Sequence, residues 1–350
     1  MAVKSTSIPL GQAALEKDAA FHTSNGVGGS GLSLADPSDY FALMKPRVMA
    51  LVVFTAWVGL FVAPVSAPVS ANAGLGLFQS FAIILCIAVG AGASGALNMW
   101  YDADIDGRMT RTRRRPVPRG RVDAATALTF GFFMSVFSVY ALYVVSNWKA
   151  AALLAFTVFF YLVIYTMWLK RSTSQNIVIG GAAGAFPPMI GWVAVTGSFS
   201  WDSVILFSII FLWTPPHFWA LALYKQGDYA KVGIPMLPNV KGARVTRNQI
   251  MIYSILLVGV SLLPLLTGLG GWIYGIVASG LGLGFLGLAF RVYRSRAGAQ
   301  YEDEAASSLY AVEAGNRVAR NLFAFSIVYL FVIFAAIALD AAVAKFGYIF

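Results

Sequence analysis

The chain has 350 residues, 59% hydrophobic and 11% charged, where an ordinary soluble domain carries about 25% charged residues. That composition excludes a soluble globular protein and makes this a membrane protein. The net charge of +10 would suit nucleic acid, but the basic residues collect in a few loops, which argues for a membrane topology signal and for no nucleic-acid partner.

Residues 1–46 are polar and rich in Gly and Ser, with no apolar run able to act as a signal peptide, so a disordered cytoplasmic tail is expected. The tail has no arginine before Arg47 and carries Glu16 and Asp18. An Arg-rich, acid-poor mitochondrial transit peptide looks different, and a bacterial origin follows. Apolar blocks then recur near residues 47–64, 77–101, 123–145, 149–169, 176–196, 202–224, 248–268, 271–292 and 318–343. A helix needs roughly 20 residues to cross a ~30 Å hydrocarbon core. Segments this long are helices rather than barrel strands, because in lipid the backbone must bond to itself. The predicted fold is all-α, a polytopic bundle of about nine transmembrane helices, with residues 47–350 as one domain.

Lys45 and Arg47 precede the first block. Seven Lys or Arg follow the second, two follow the fourth, five the sixth and three the eighth, while the intervening loops hold little but Lys149. By the positive-inside rule the N-terminus and even-numbered loops are cytoplasmic and the C-terminus periplasmic, in a bacterial inner membrane. Cys86 lies inside an apolar block and has no second cysteine to pair with, so it reads as packing.

The second block ends in "NMWYDADIDGRMTRTRRRPVP". Asn98, Asp102 and Asp106 are four apart, which stacks them on one helical face, whereas Asp104 points elsewhere if the helix continues. Like charges so placed repel, so a cation is expected there. Mg²⁺ takes one or two carboxylates plus waters and substrate phosphates, and intramembrane acids are usually functional. Arg108, Arg111, Arg113, Arg114 and Arg115 follow. Topology alone accounts for several of them, but acids contribute little to topology. Arginine forks that grip phosphate, beside acids that hold Mg²⁺, describe a diphosphate site.

The fourth block runs into Lys170 and Arg171, read either as diphosphate ligands or as an interfacial pair. In the fifth, "GGAAGA" (residues 180–185) reads as a close packing surface, since no strand precedes it as a nucleotide loop requires, and Pro187 and Pro188 are expected to kink the helix. The sixth block holds "TPPHFWALALYKQGDYAKVGIPMLP". Asp228 follows Asp102 by 126 residues, flanked by Lys225 and Lys231, and the similar spacing of the first and fifth helices hints at an internal four-helix repeat. His217, inside an apolar block, is either a packing residue or a ligand contact. Eleven residues, roughly 16 Å of helix, separate it from Asp228, so a bend at the Pro215–Pro216 pair or Gly227 is expected.

These stretches, with "LKRSTSQNIVIGGAAGAFPPMIGW", resemble the UbiA superfamily of intramembrane prenyltransferases over residues 43 to 330, and within it the haem-farnesylating branch. The resemblance implies nine helices around a lipid-open cavity, two acid-bearing loops, and Mg²⁺ as cofactor. It implies transfer of the farnesyl group of farnesyl diphosphate to a vinyl group of haem b, a substrate rather than a cofactor. Water is added, giving haem O and diphosphate for haem-copper oxidase assembly. The implied partners are membrane lipid, a haem A synthase and oxidase assembly factors.

Carried over position by position, Asn98, Asp102, Asp106 and Asp228 are metal ligands. Asp102, Asp106, Asp228, Arg111 and Lys170 act in catalysis. Asn98, Arg108, Arg113, Arg115, Arg171, Lys225, Lys231 and His217 bind substrate. Met99 and Val232 stand where many relatives have acids, which leaves the number of Mg²⁺ ions open. Prenylation of an aromatic acid or quinone precursor is the alternative within the class. A secondary transporter is the alternative outside it, although transporter sites lie near the bilayer midplane rather than at helix ends.

Overall fold

A computed structural model describes residues 35–64, 76–110, 112–299 and 309–346. Among these every regular element is helical. In chain order they are α1 (Pro37–Leu43), α2 (Pro46–Val62), α3 (Leu77–Tyr101), α4 (Ala103–Asp106), α5 (Ala124–Val145), α6 (Trp148–Ser172), α7 (Asn176–Thr196), α8 (Trp201–Tyr224), α9 (Gln226–Ala230), α10 (Leu237–Val260), α11 (Leu263–Thr267), α12 (Trp272–Arg294) and α13 (Leu309–Phe346). Among the described residues eight helices are long and apolar enough to cross a membrane, or nine if α1 and α2, bent by 57°, form one span.

Several boundaries differ from expectation. Residues 37–43 are helical, where a disordered tail was expected to residue 46. Asp36 and Asp39 pair with Arg121 at 2.9 Å each, and Leu43 is fully buried. These contacts, distant in sequence, supply the ordering that local composition did not suggest. The remainder of that tail, residues 1–34, lies outside the described residues. The seventh helix begins at Leu237, bending at Gly242, whose φ of 83° is open to glycine. The last helix spans 38 residues.

Two apolar clusters organise the bundle. One joins α2, α3, α5, α6 and α7 and includes Cys86. The other joins α8, α10, α12 and α13 with residues of α2 and α7. Where α2 crosses α7 the backbones touch: a Cβ on Gly59 would lie 2.1 Å from the Pro188 carbonyl oxygen, and one on Gly191 2.2 Å from that of Ala56. Helices in lipid associate through such small residues. In "GGAAGA", Gly180 abuts Tyr165 and Gly181 abuts Thr214, whereas Gly184 meets nothing. Gly184 faces a cavity of about 510 Å³ lined by α2, α3, α6, α7, α8 and α13.

Candidate functional site

The acid cluster stands at the end of α3. The helix breaks at Asp102, yet Asp102 N–H still donates to Asn98 O and Asp106 N–H to Asp102 O, so the four-residue spacing survives the break. Asn98, Asp102 and Asp106 are 4%, 0% and 2% exposed, whereas the Asp104 side chain is 55% exposed. One face is thus buried and Asp104 points off it.

Buried charges must be paired, and each carboxylate here has its own cation. Lys170 Nζ donates to Asp102 Oδ2. Arg115 Nη1 donates to Asp106 Oδ2 at 2.5 Å. Asn98 Nδ2 donates to Asp102 Oδ2 at 2.7 Å and to Thr166 Oγ1 at 3.2 Å, and its Oδ1 accepts from Lys45 Nζ at 2.5 Å. Lys45 has φ 52°, the only positive value for a non-glycine among the described residues. A lysine so strained, ahead of Pro46, persists only where its surroundings over-determine it. Arg171 forks onto Asp104 at 2.8 and 3.0 Å and stacks over Tyr101. Burial raises the Asp104 carboxyl, but the hydrogen bond and charge of Arg171 outweigh it and hold Asp104 below the usual carboxylate range.

The second acid loop packs against the first. Ile105 and Met109 share an apolar cluster with Tyr229, Ile234 and Met236, with Val232 against it. Thr110 Oγ1 donates to Asp228 Oδ1 at 3.4 Å, and Lys231 lies 3.7 Å from the same oxygen. Among the described residues no three His, Cys, Asp or Glu side chains gather as a metal site. Each acid is paired with a cation: Asp102 with Lys170, Asp106 with Arg115, Asp104 with Arg171, and Asp228 more loosely with Lys231. Met99, buried against Leu43 and Val122, and Val232 both serve packing, which accounts for apolar residues at the two departing positions.

Arg108, Arg113 and Lys225 are exposed and form no ion pair among the described residues. Arg111 lies outside them. Sequence reasoning overlooked Thr110, Thr166 and the weight of Lys45. It also overlooked that Phe160–Leu169 of α6 is π-helical, a form frequent at functional sites. That turn points Tyr161 and Tyr165 into the cavity while Thr166 meets Asn98. No residue pattern announces a π-turn, so only contacts reveal it.

Asp102 Oδ1 is buried and accepts no hydrogen bond, with Arg171 3.7 Å away. A buried carboxylate oxygen that accepts no hydrogen bond is a donor suited to a hard cation, so Asp102 fits Mg²⁺. His217 lines the cavity below, with Trp213, Phe218 and Phe323. Helix α8 runs through Pro215 and Pro216 to Tyr224 and is capped by Lys225, with Gly227 in the short α9 that follows.

Two solved structures with this fold are distant in sequence. Digeranylgeranylglyceryl phosphate synthase superposes with a TM-score of 0.67 at 17% identity, covering 87% of this chain and 98% of that one. A UbiA homologue from Archaeoglobus fulgidus bound to DMAPP and Mg²⁺ gives 0.57 at 15%, covering 83% and 99%. In sequence, protoheme IX farnesyltransferase of Maricaulis maris is 60% identical over 314 residues, 90% of this chain and 92% of that protein. The protein of the same name from Parvibaculum lavamentivorans is 58% identical over 302 residues, covering 86% and 88%. A model of the UbiA prenyltransferase family matches residues 52–310, and the chain belongs to that family.

Proposed function

We infer that the chain transfers the farnesyl group of farnesyl diphosphate to a vinyl group of haem b, with water supplying a hydroxyl, to give haem O and diphosphate. The observation that carries this reading is the match at 60% identity, over nine-tenths of both chains, to a protoheme IX farnesyltransferase. The site supports it, because half-buried cations and buried acids lie beside an apolar cavity large enough for a prenyl chain.

The diphosphate end belongs at the polar cluster. Lys170 and Arg115 hold positive charge where the carbon–oxygen bond to diphosphate breaks, with Lys45 beside them on Asn98, and preorganised charge of this kind stabilises the leaving group most where water is absent. When bound by Asp102, Asn98 and Asp106, Mg²⁺ supplies further positive charge to the diphosphate oxygens. Asp228, held by Thr110, brings the second loop to the same end and keeps Lys231 near it. The prenyl chain belongs in the cavity. There the faces of Tyr161 and Tyr165 attract the developing allylic cation, and apolar walls keep water from it until the vinyl group attacks.

The basic ends of α3, α6 and α8 support a cytoplasmic diphosphate site in a bacterial inner membrane. Membranes containing the full chain, supplied with haem b and labelled farnesyl diphosphate, are expected to form labelled haem O. Labelled benzoate or naphthoate products in its place, or diphosphate release only under a membrane gradient, would overturn the reading.

A further inference from the structure

On α8, Trp213 and His217 stand four residues apart and share a face. Both reach one residue of α13. The Trp213 indole N–H donates to the Ser326 carbonyl oxygen at 2.7 Å, and His217 Nδ1 lies 2.6 Å from Ser326 Oγ. The imidazole is clamped on both faces, by Trp213 with centroids 4.2 Å apart and by Phe323 at 4.5 Å. Phe218 meets it edge-on at 5.1 Å.

Ser326 decides which ring nitrogen carries the proton. Its Oγ also lies 2.6 Å from the Phe323 carbonyl oxygen, and a carbonyl only accepts. The single hydroxyl proton therefore goes to Phe323, and the contact with His217 is a donation from Nδ1–H to Oγ. The reverse assignment would set two oxygen lone pairs 2.6 Å apart. Trp213, Phe218, Phe323 and Ser326 carry no charge, and an imidazolium buried among them would be costly. The ring is neutral with its proton on Nδ1, so Nε2 carries a lone pair. Among the described residues Nε2 has no hydrogen-bond partner, and His217 lines the cavity.

A rigidly held imidazole with one nitrogen tied as donor and the other open is the arrangement of a metal-bound histidine, whose second N–H is ordinarily fixed by a hydrogen bond. We propose that His217 Nε2 coordinates the iron of the haem acceptor and that Ser326 is the residue that positions it. This rests on haem being the acceptor. Coordination forms one Fe–N bond from the Nε2 lone pair and moves no proton or electron. It fixes the depth of the porphyrin in a cavity whose wall continues through Leu221, Ser94 and Tyr165. Of these, Ser94 stands one helical turn before Asn98, and Tyr165 adjoins Thr166.

The full chain in lipid nanodiscs is titrated with haem b and with metal-free protoporphyrin IX, and haem O formation is measured in parallel. The wild type is expected to prefer haem and to show the optical and spin-resonance signature of a histidine-ligated iron. His217→Ala removes that signature and the preference, and added imidazole restores the signature. Ser326→Ala keeps the imidazole but frees it, weakening haem binding by about 10–100-fold, the usual effect of losing a second-sphere partner. Its binding of metal-free porphyrin is unchanged, and Ser326→Thr, which retains the hydroxyl, recovers haem binding. Wild-type haem spectra and affinity in both alanine variants, or equal loss of both porphyrins, overturn the ligation. Haem O produced by a His217→Ala protein whose spectrum matches wild type overturns ligation alone, whereas wild type that neither binds haem nor forms haem O overturns the functional reading itself.

Discussion

Asp102 is fully buried, yet one of its two carboxylate oxygens accepts no hydrogen bond, and that imbalance marks where the chemistry belongs. Asp102→Ala or Asp106→Ala is expected to lower product formation by at least about 100-fold, the range seen when one electrostatic stabiliser is removed, with normal insertion and purification. Asp104→Ala is expected to retain most activity, since Asp104 is exposed and engaged by Arg171. Removing divalent ions with a chelator should stop turnover and added Mg²⁺ restore it; a chelated enzyme at full rate would refute the metal assignment. Initial rates of labelled product decide all of these. The acid face was legible because four-residue spacing is a local property of the helix. Lys45 and Thr166 were not, lying 53 and 68 residues from the Asn98 they contact.

Among the elements, the crossing of α2 and α7 is the tightest joint. Gly191→Ala or Gly59→Ala places a methyl group against backbone that cannot rotate away. Overpacking of this kind costs roughly 1–3 kcal/mol, so both variants should lower Tm in detergent, whereas Gly287→Ala, which meets nothing within 4 Å, should not. Unchanged Tm in both crossing variants would show that the joint is looser than described. Helix existence and order followed from apolar length alone. The π-turn of α6 and the extra helix α1 did not, because each is held by neighbours distant in the chain rather than by its own composition.

For the whole molecule, side-specific labelling tests orientation. In a Cys86→Ser background, Ser172→Cys is expected to react from the cytoplasmic side and Ser198→Cys, at the far end of α7, from the periplasmic side. The reverse pattern would invert the topology. Composition and periodicity by themselves determined a helical membrane bundle, its sidedness signal and the acid face at the end of α3, because hydrophobic length, charge bias and the helical repeat are written locally. Only the tertiary structure decided which cation answers each acid, that Thr110 of the first acid loop reaches Asp228 of the second, and that Ser326 clasps His217. Those outcomes depend on which side chains packing brings within a few ångströms, and pairings across 68 residues for Lys170 with Asp102, or 109 for Ser326 with His217, leave no trace in local spacing.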